Sequence, residues 1–251
     1  MSSQTPPGPD FGRLASSYDR LRPADASWRE LFDVLVHEGD LAARRVLDVG
    51  CGTGRLTVAL AELGSRAWGV DPSEEMLSEA RARAGRLAAF KRAPAEALPF
   101  KDGWFERGVL RLVVHLIDRG RALPELARVL APGGRAVIAT FRPEHLERFW
   151  LNPWFPSIPE IDRARFPDPV ELASELRGAG FSGVRVLPFT QVRRTTREDA
   201  LERIAGRFIS TLHLIPEEEF RAGLERAARE LPAEVEYALE WAIVVADRAS
   251  T

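Results

Sequence analysis

Asp48-Val49-Gly50-Cys51-Gly52-Thr53-Gly54 is the stretch that decides the fold of this chain. It joins the apolar run at residues 45–49 to a helical pattern through three alternating glycines, which predicts a strand, a tight turn and the start of a helix. A turn this sharp needs residues that tolerate positive φ, and the missing side chains let a ligand approach the backbone closely. The stretch therefore predicts an α/β fold with a nucleoside-type cofactor at this turn.

The residues around the glycines narrow the choice of cofactor. A dinucleotide-binding turn requires G-x-G-x-x-G, but Arg55 occupies the place of the third glycine. No G-x-x-x-x-G-K-[ST] follows the strand, which excludes a P-loop. Asp48, at the end of the strand, suits a cofactor that brings a cationic group there and a carboxylate for the helix N-terminus. S-adenosylmethionine carries both groups.

A second strand and helix follow with the same arrangement. Residues 66–71 read as a short strand that ends in Asp71, and Pro72-Ser73-Glu74-Glu75 begins a helix with a capping hydroxyl and early negative charge. Asp71 lies about 20 residues beyond the glycine turn, where a carboxylate can accept both hydroxyls of an adenosine ribose. The spacing therefore predicts a ribose contact, although an acid at a strand end can also be a simple helix cap.

Four motifs in order resemble those of class I S-adenosylmethionine-dependent methyltransferases, in particular the type 11 small-molecule group. They are Val46-Leu47-Asp48-Val49-Gly50-Cys51-Gly52-Thr53-Gly54, Gly69-Val70-Asp71-Pro72-Ser73, Ala95-Glu96-Ala97-Leu98-Pro99-Phe100 and Arg128-Val129-Leu130-Ala131-Pro132-Gly133-Gly134-Arg135. The preceding segment from Phe11 through Tyr18-Asp19 to Arg22-Pro23 is also similar to the N-terminal segment of such enzymes. The resemblance spans roughly residues 45–140 and is more specific than one glycine turn.

The resemblance implies a Rossmann-like, seven-stranded, mostly parallel sheet of order 3-2-1-4-5-7-6, with strand 7 antiparallel and helices on both faces. Helices are expected near residues 27–38, 54–64, 73–84, 120–131 and 168–180. The fifth, sixth and seventh strands are expected at residues 136–140, 183–187 and 237–246.

The expected organisation is a disordered tail at residues 1–10 and one methyltransferase domain at 11–251. Within the domain we expect an N-terminal helical lid at 11–40 and a cofactor-binding core at 41–140. An aromatic and proline-rich insertion at 141–167 and a helical insertion at 195–232, read as helices 198–214 and 217–231, follow. Long connections often form lids or binding loops. Trp150, Trp154 and Phe155 in the first insertion are interpreted as the roof of an acceptor pocket, with core packing as the alternative.

The resemblance also assigns cofactor-binding residues. Asp48 would order the methionine amino end, Asp71 the ribose and Met76 the adenine. The full predicted cofactor set is Tyr18, Asp48, Gly50, Cys51, Gly52, Thr53, Gly54, Asp71, Pro72, Met76, Ala95, Glu96 and Leu110. The implied cofactor is S-adenosyl-L-methionine, with S-adenosyl-L-homocysteine as product.

The catalytic groups are less specified by the sequence. His115, Tyr18 and His145 are the predicted catalytic residues, and Glu144 is a further candidate base. His115 matches a histidine near the methyl-transfer site of the family, but it could equally pack on Leu112 and Leu116. No set of side chains has metal-ligand spacing, so no metal is expected.

Two departures from the family pattern affect the site. Pro94 stands where relatives carry an acid that accepts from the adenine amino group, and a proline side chain accepts nothing. In the fourth strand, Arg107 and Gly108 interrupt an expected apolar run, and Arg111 near its end could either contact substrate or reach solvent.

Composition and charge bear on partners and compartment. The 251 residues carry a net charge of −2 with acids and bases interleaved, so there is no electrostatic case for nucleic acid. We expect no signal peptide, no membrane segment and, with Cys51 as the only cysteine, no internal disulfide. The expected compartment is the cytoplasm.

The function that these features predict is in-line methyl transfer from S-adenosylmethionine to an oxygen, nitrogen or carbon atom of a small, partly apolar or aromatic acceptor. Most of the rate would come from proximity and orientation. The alternatives are an NAD(P)-dependent oxidoreductase and an S-adenosylmethionine-binding protein without catalysis.

Pro94→Asp should tighten S-adenosylmethionine binding by about 0.5–1.5 kcal/mol, because it supplies one hydrogen-bond acceptor for the adenine amino group. Calorimetry measures the change, and the purine analogue of S-adenosylhomocysteine, which lacks that amino group, is the control. Strong discrimination against the analogue by the unmodified protein would show that another residue already binds the amino group.

Overall fold

The computed structural model describes residues 11–250, and the expected tail at residues 1–10 lies outside them. Within this range one sheet of seven strands has the order β3-β2-β1-β4-β5-β7-β6. The strands are β1 Arg45–Val49, β2 Arg66–Asp71, β3 Ala89–Arg92, β4 Phe105–Arg111, β5 Leu130–Phe141, β6 Phe181–Thr196 and β7 Glu234–Arg248. Strands β1 to β5 pair in parallel, and β7 is antiparallel to β5 and β6. The predicted fold is confirmed.

Helices connect the strands and cover both faces of the sheet. They are α1 Ala15–Leu21, α2 Ala26–Gly39, α3 Arg55–Glu62, α4 Glu74–Ala84, α5 Arg119–Val129, α6 Pro143–Arg148, α7 Ile158–Arg165, α8 Pro169–Gly178, α9 Arg197–Ala205 and α10 Glu217–Glu230. Side-chain caps begin several of them: Asp25 accepts from Trp28 N, Ser73 from Met76 N and Asp168 from Val170 N. Such caps satisfy backbone N–H groups that the first helical turn leaves unpaired.

Two apolar layers pack on opposite faces because successive strand residues point to opposite sides of a sheet. Val137 and Ile243 belong to the layer that includes helices α2, α3, α9 and α10. Their neighbours Ile138 and Val244 belong to the layer under α5 and α8. The central strands are therefore buried on both faces, as parallel α/β sheets require.

The two irregular residues of β4 have local explanations. The Arg107 guanidinium leaves the sheet and binds the carboxylate and the carbonyl of Asp40, after the end of α2. A Cβ at Gly108 would lie 2.9 Å from Cδ1 of Leu126, so glycine lets α5 pack closely against the strand.

The second half of the chain differs from the prediction in two places. Strand β6 continues to Thr196, because its antiparallel ladder with β7 extends to the pair Thr196–Glu234, so the helical insertion begins at residue 197 and not at 195. The single helix expected at 198–214 is wrong: α9 ends at Ala205, and Arg207 adopts a φ of 49°. Gly206 packs against Leu21 there, where a Cβ would lie 2.7 Å from a leucine methyl carbon.

The N-terminal segment 11–40 also has two parts with different positions. Helix α2 is a core helix, since Leu31 and Leu35 are buried in the layer on the sheet. Helix α1 lies near the glycine turn, where Asp19 contacts Thr53. Helix α2 thus belongs to the core, and a lid role for the part before α2 stays a prediction. No helix among residues 11–250 is long and apolar enough to cross a membrane.

The insertion at 141–167 contributes both core and surface. Phe155 is fully buried and its ring centroid lies 6.0 Å from that of Phe220 on α10. A Cβ at Gly223 would approach the Phe155 ring to 2.4 Å, so α10 is seated directly on this phenylalanine. Trp154 donates from Nε1 to Glu230 at 2.9 Å. Both side chains therefore attach α10 to the domain.

Phe155→Ala should lower the free energy of unfolding by about 3–5 kcal/mol, because it leaves a cavity between the insertion and α10. Chemical denaturation measures this, and Val170→Ala, at a side chain that is 74% exposed, is the control and should change stability by less than about 0.5 kcal/mol. Unchanged stability of the Phe155 variant would contradict the core assignment.

Candidate functional site

The glycine turn between β1 and α3 forms one end of the site. Gly50, Gly52 and Gly54 all have positive φ, at 70°, 54° and 73°. A Cβ at Gly50 would lie 2.5 Å from Val113, and one at Gly54 would lie 2.8 Å from Ala80. At Gly52 a Cβ would meet nothing within 4 Å. Two of the glycines therefore permit internal packing, and the third faces open space.

Two carboxylates flank this open space. Asp71 at the end of β2 accepts from Gly52 N at 2.9 Å through Oδ2 and from Ser73 N at 2.9 Å through Oδ1, so its orientation is fixed by the backbone. Asp48 at the end of β1 is buried and accepts from the Thr57 hydroxyl at 2.6 Å. Burial raises the pKa of Asp71, and burial raises the pKa of Asp48 to about 7.

A cavity of about 510 Å³ extends from the glycine turn across the C-terminal edge of the sheet. Its first half is polar and contains most of the predicted cofactor residues. Those that line it are Tyr18, Asp48, Gly50, Cys51, Gly52, Thr53, Asp71, Pro72, Met76, Ala95 and Glu96. Pockets at this edge, where the strand order reverses, are the usual ligand sites of open α/β sheets.

Two predicted cofactor residues do not line the cavity. Gly54 caps the N-terminus of α3 and faces Ala80 and Phe90, where its missing side chain permits close packing. Leu110 is 1% exposed and belongs to the apolar layer under α5 and α8. The cavity lining therefore gives no support to a cofactor contact for these two residues, because strand alternation directs Leu110 into the core and the missing side chain of Gly54 permits close packing.

The second half of the cavity has an aromatic wall, which we define as Phe141, Phe149, Trp150, Phe166, Phe208, Tyr237 and Trp241. Strand β7 and the two insertions supply most of these rings. Trp150 stacks on Tyr237 with 5.0 Å between ring centroids. Trp154 and Phe155, predicted as part of the roof, do not line the cavity, because they pack against α10 instead.

The two predicted catalytic histidines both line this cavity. His115 stacks on Phe166 at 4.0 Å, and His145 stacks on Phe141 at 3.9 Å. Burial lowers the pKa of each imidazole to about 3, so both rings are neutral near pH 7. The packing partner of His115 is thus a phenylalanine from the insertion, which the sequence did not indicate.

Glu144, the further candidate base, lies outside the cavity and pairs with Arg142 at 3.0 Å.

Asp19 ties the N-terminal segment to the glycine turn. Its carboxylate accepts from the Thr53 hydroxyl at 2.9 Å, pairs with Arg55 at 2.8 Å and also binds Arg83 on α4. Arg55, the residue that departs from the dinucleotide pattern, therefore holds α1 over the turn. Beside it, the Arg22 guanidinium lies 3.8 Å from the centroid of the Tyr18 ring.

Pro94 lines the cavity next to the predicted adenine region. The nearest acid, Glu96, accepts from Asp118 N at 2.7 Å through one carboxylate oxygen. Glu96 is thus already engaged in positioning the segment before α5.

Several cavity residues were missed by sequence reasoning. Asp162 on α7 and Thr211 line the cavity, and Thr211 donates to Asp162 at 2.5 Å, while Arg165, outside the cavity, forms a buried pair with Asp162 at 3.7 Å. Burial raises the pKa of Asp162 to about 6. Gln191 on β6 donates to Ser27 O at 2.6 Å. These residues are far apart in the chain, and nothing in their local sequence marks them as neighbours.

Four cavity side chains hold a buried polar atom without a hydrogen-bond partner among the described residues. They are Arg111 Nε, His115 Nδ1, Trp150 Nε1 and Trp241 Nε1. Buried polar atoms are normally satisfied, so their concentration around one cavity indicates a ligand with polar groups. In the described range no three His, Cys, Asp or Glu side chains are grouped to hold a metal ion.

The chain matches the methyltransferase domain family over residues 47–138. It is 34% identical to the demethylmenaquinone methyltransferase of Thermus thermophilus, over 71% of this chain and 81% of that protein. It is 38% identical to an uncharacterized methyltransferase of Mycobacterium bovis, over 63% of this chain and 65% of that protein, so it spans just under two thirds of that relative.

A solved structure shares the fold. Phosphoethanolamine N-methyltransferase 2 of Haemonchus contortus in complex with S-adenosyl-L-methionine superposes with a TM-score of 0.61 at 18% identity, over 95% of this chain and 57% of that one. The strand order, the glycine turn with its two acids and the match to the Thermus relative all indicate the same family. The chain belongs to the class I S-adenosylmethionine-dependent methyltransferases.

Proposed function

We propose that this protein transfers a methyl group from S-adenosylmethionine to a small-molecule acceptor that is mainly apolar or aromatic. The observation that carries the proposal is the single cavity that joins the glycine turn and its two carboxylates to the aromatic wall. Such a cavity can hold a cofactor and an acceptor side by side. The Thermus relative is named for a demethylmenaquinone acceptor, which supports a small-molecule substrate.

The residues present fit the cofactor. The open space at Gly52 leaves room against the backbone, and Asp71 is oriented for a ribose diol by its two backbone hydrogen bonds. Asp48 offers a carboxylate for the cationic amino group, and Met76, 2% exposed, offers an apolar surface for the adenine. Tyr18 and Thr53 would complete this half.

When bound, S-adenosylmethionine supplies an activated methyl carbon, whose bond to sulfur breaks as the acceptor's electron pair forms the new bond. The chain's own contribution is to orient the acceptor and to exclude water. The aromatic wall binds the acceptor's apolar surface. His115 and His145, neutral near pH 7, have the electron pairs to accept a hydrogen bond or a proton from a protonated acceptor, and Tyr18 can orient it.

The direct test combines binding and turnover. Calorimetry should show that S-adenosylhomocysteine binds and that NAD does not, and incubation with S-adenosylmethionine and a panel of aromatic acceptors should yield S-adenosylhomocysteine. Binding without turnover of any acceptor would favour a binding protein without catalysis. Binding of NAD in place of S-adenosylhomocysteine would contradict the proposal.

Gly52→Ala should weaken S-adenosylhomocysteine binding by about tenfold or more, because the added methyl group enters the cavity beside the cofactor. Gly64→Ala is a matched control: Gly64 also has positive φ and open space around its Cβ position, but it does not line the cavity. Both variants should lose similar stability, about 1–2 kcal/mol, from the strained backbone. Equal affinities in the two variants would refute the placement of the cofactor at Gly52.

The raised pKa of Asp48 predicts a pH dependence of binding. A bound amino cation favours the ionised carboxylate, so binding below about pH 7 must release a proton, and affinity should fall with falling pH by up to tenfold per unit. Calorimetry between about pH 5.5 and 8 in buffers of different ionisation enthalpy measures both effects. Asp48→Asn should bind more weakly and lose the dependence. A flat profile in the unmodified protein would contradict this role of Asp48.

A further inference from the structure

Arg111 lies between the two halves of the cavity. It is the last residue of β4, where its predecessor Leu110 pairs with Val49 on β1 and Arg111 itself pairs with Ala139 on β5. The side chain lines the cavity, and its guanidinium carbon lies 5.9 Å from the centroid of the Trp241 ring. The cation therefore faces the cavity beside the aromatic wall and next to the glycine turn.

This guanidinium has no anionic partner among the described residues. Its Nε is buried without a hydrogen-bond acceptor, and no carboxylate there forms an ion pair with it. Of the other arginines that line the cavity, Arg55 pairs with Asp19 and Arg193 with Asp25, and the Arg22 guanidinium lies over the Tyr18 ring. An unpaired charge whose Nε is buried without an acceptor is unfavourable, so a half-buried guanidinium of this kind points to a ligand that supplies the missing charge.

The surroundings of Arg111 strengthen the case for an anion. Burial, with the positive charges of Arg22, Arg55 and Arg193, lowers the pKa of Arg111, although a guanidinium stays charged near pH 7. Arg111 interacts electrostatically with Asp48, but Oδ2 of Asp48 already accepts a hydrogen bond from the Thr57 hydroxyl. Among the described residues no carboxylate therefore forms an ion pair with Arg111 in this part of the cavity.

We propose that Arg111 binds an ionised carboxylate of the acceptor while the acceptor's rings lie against the aromatic wall. The inference rests on the proposed function and names the substrate class: an aromatic acid. The planar guanidinium suits a carboxylate because its N–H groups form two parallel hydrogen bonds with it. Arg111 would then hold the acceptor in one orientation at the boundary with the cofactor half.

The test uses two isosteric probes, 2-naphthoate and its neutral analogue 2-naphthamide. Calorimetry measures their affinities for the protein saturated with S-adenosylhomocysteine. The unmodified protein should bind the carboxylate about tenfold or more tightly than the amide, the scale of a hydrogen-bonded charge. In Arg111→Met this preference should disappear, while the affinity for S-adenosylhomocysteine changes by less than about twofold.

Two further variants serve as controls. Arg121→Met removes an exposed arginine of α5 and should keep the full preference. Arg111→Lys retains the charge without the planar fork, so it should fold and keep part of the preference, and it replaces the methionine variant if that variant does not fold.

The outcomes separate this inference from the proposed function. Failure of the unmodified protein to bind S-adenosylhomocysteine would refute the proposed function. Normal cofactor binding with equal affinity for the two probes, or with no measurable binding of either, would overturn the role of Arg111 alone. A loss of S-adenosylhomocysteine affinity of about tenfold in Arg111→Met would also overturn it, since Arg111 would then bind the cofactor's own carboxylate.

Discussion

The attachment of the glycine turn to β2 is the interaction on which the rest of this structure depends. Gly50 N and Cys51 N both donate to Val70 O, at 2.8 and 3.0 Å, and Gly52 N donates to the Asp71 carboxylate. The turn that makes these bonds has positive φ at alternate positions, and a side chain at Gly50 would in addition collide with Val113. They place the N-terminus of α3 and two acids around one opening, and they leave that opening free of side chains.

The cavity owes its second half to the antiparallel end of the sheet. Because β7 lies between β5 and β6, Trp241 and Tyr237 reach the same edge as the glycine turn, although nearly 200 residues separate them in sequence. The insertion after β5 adds Phe149, Trp150 and Phe166 to the same wall. The glycine turn is thus combined with an aromatic wall that depends on the particular insertions of this chain.

The charged side chains of the cavity lie mainly toward the glycine turn, and the aromatic ones lie toward β7 and the insertions. The cofactor half contains Asp48 and Asp71, whose carboxylates suit a cationic amino group and a ribose. The aromatic half contains His115 and His145, which burial keeps neutral, and the unpaired Arg111 at the boundary. This charge pattern supports the two proposals: a cationic cofactor beside the two carboxylates and an anionic, aromatic acceptor beside Arg111.

The sequence by itself determined the glycine turn and its two acids, because their signals are local: alternating glycines, acids at strand ends and caps at helix starts. The strand order followed from the resemblance of the ordered motifs to a known family. Tertiary structure decided which of the remaining side chains face the cavity. Leu110 and Phe155 were both predicted to line the site, yet both lie in the core. Strand alternation directs Leu110 there, and Phe155 packs against α10. Arg111 could have reached solvent, and only the tertiary arrangement, with β4 between β1 and β5, directs its charge into the cavity. Local patterns specify backbone geometry, whereas the direction and partners of a side chain depend on residues that are distant in sequence.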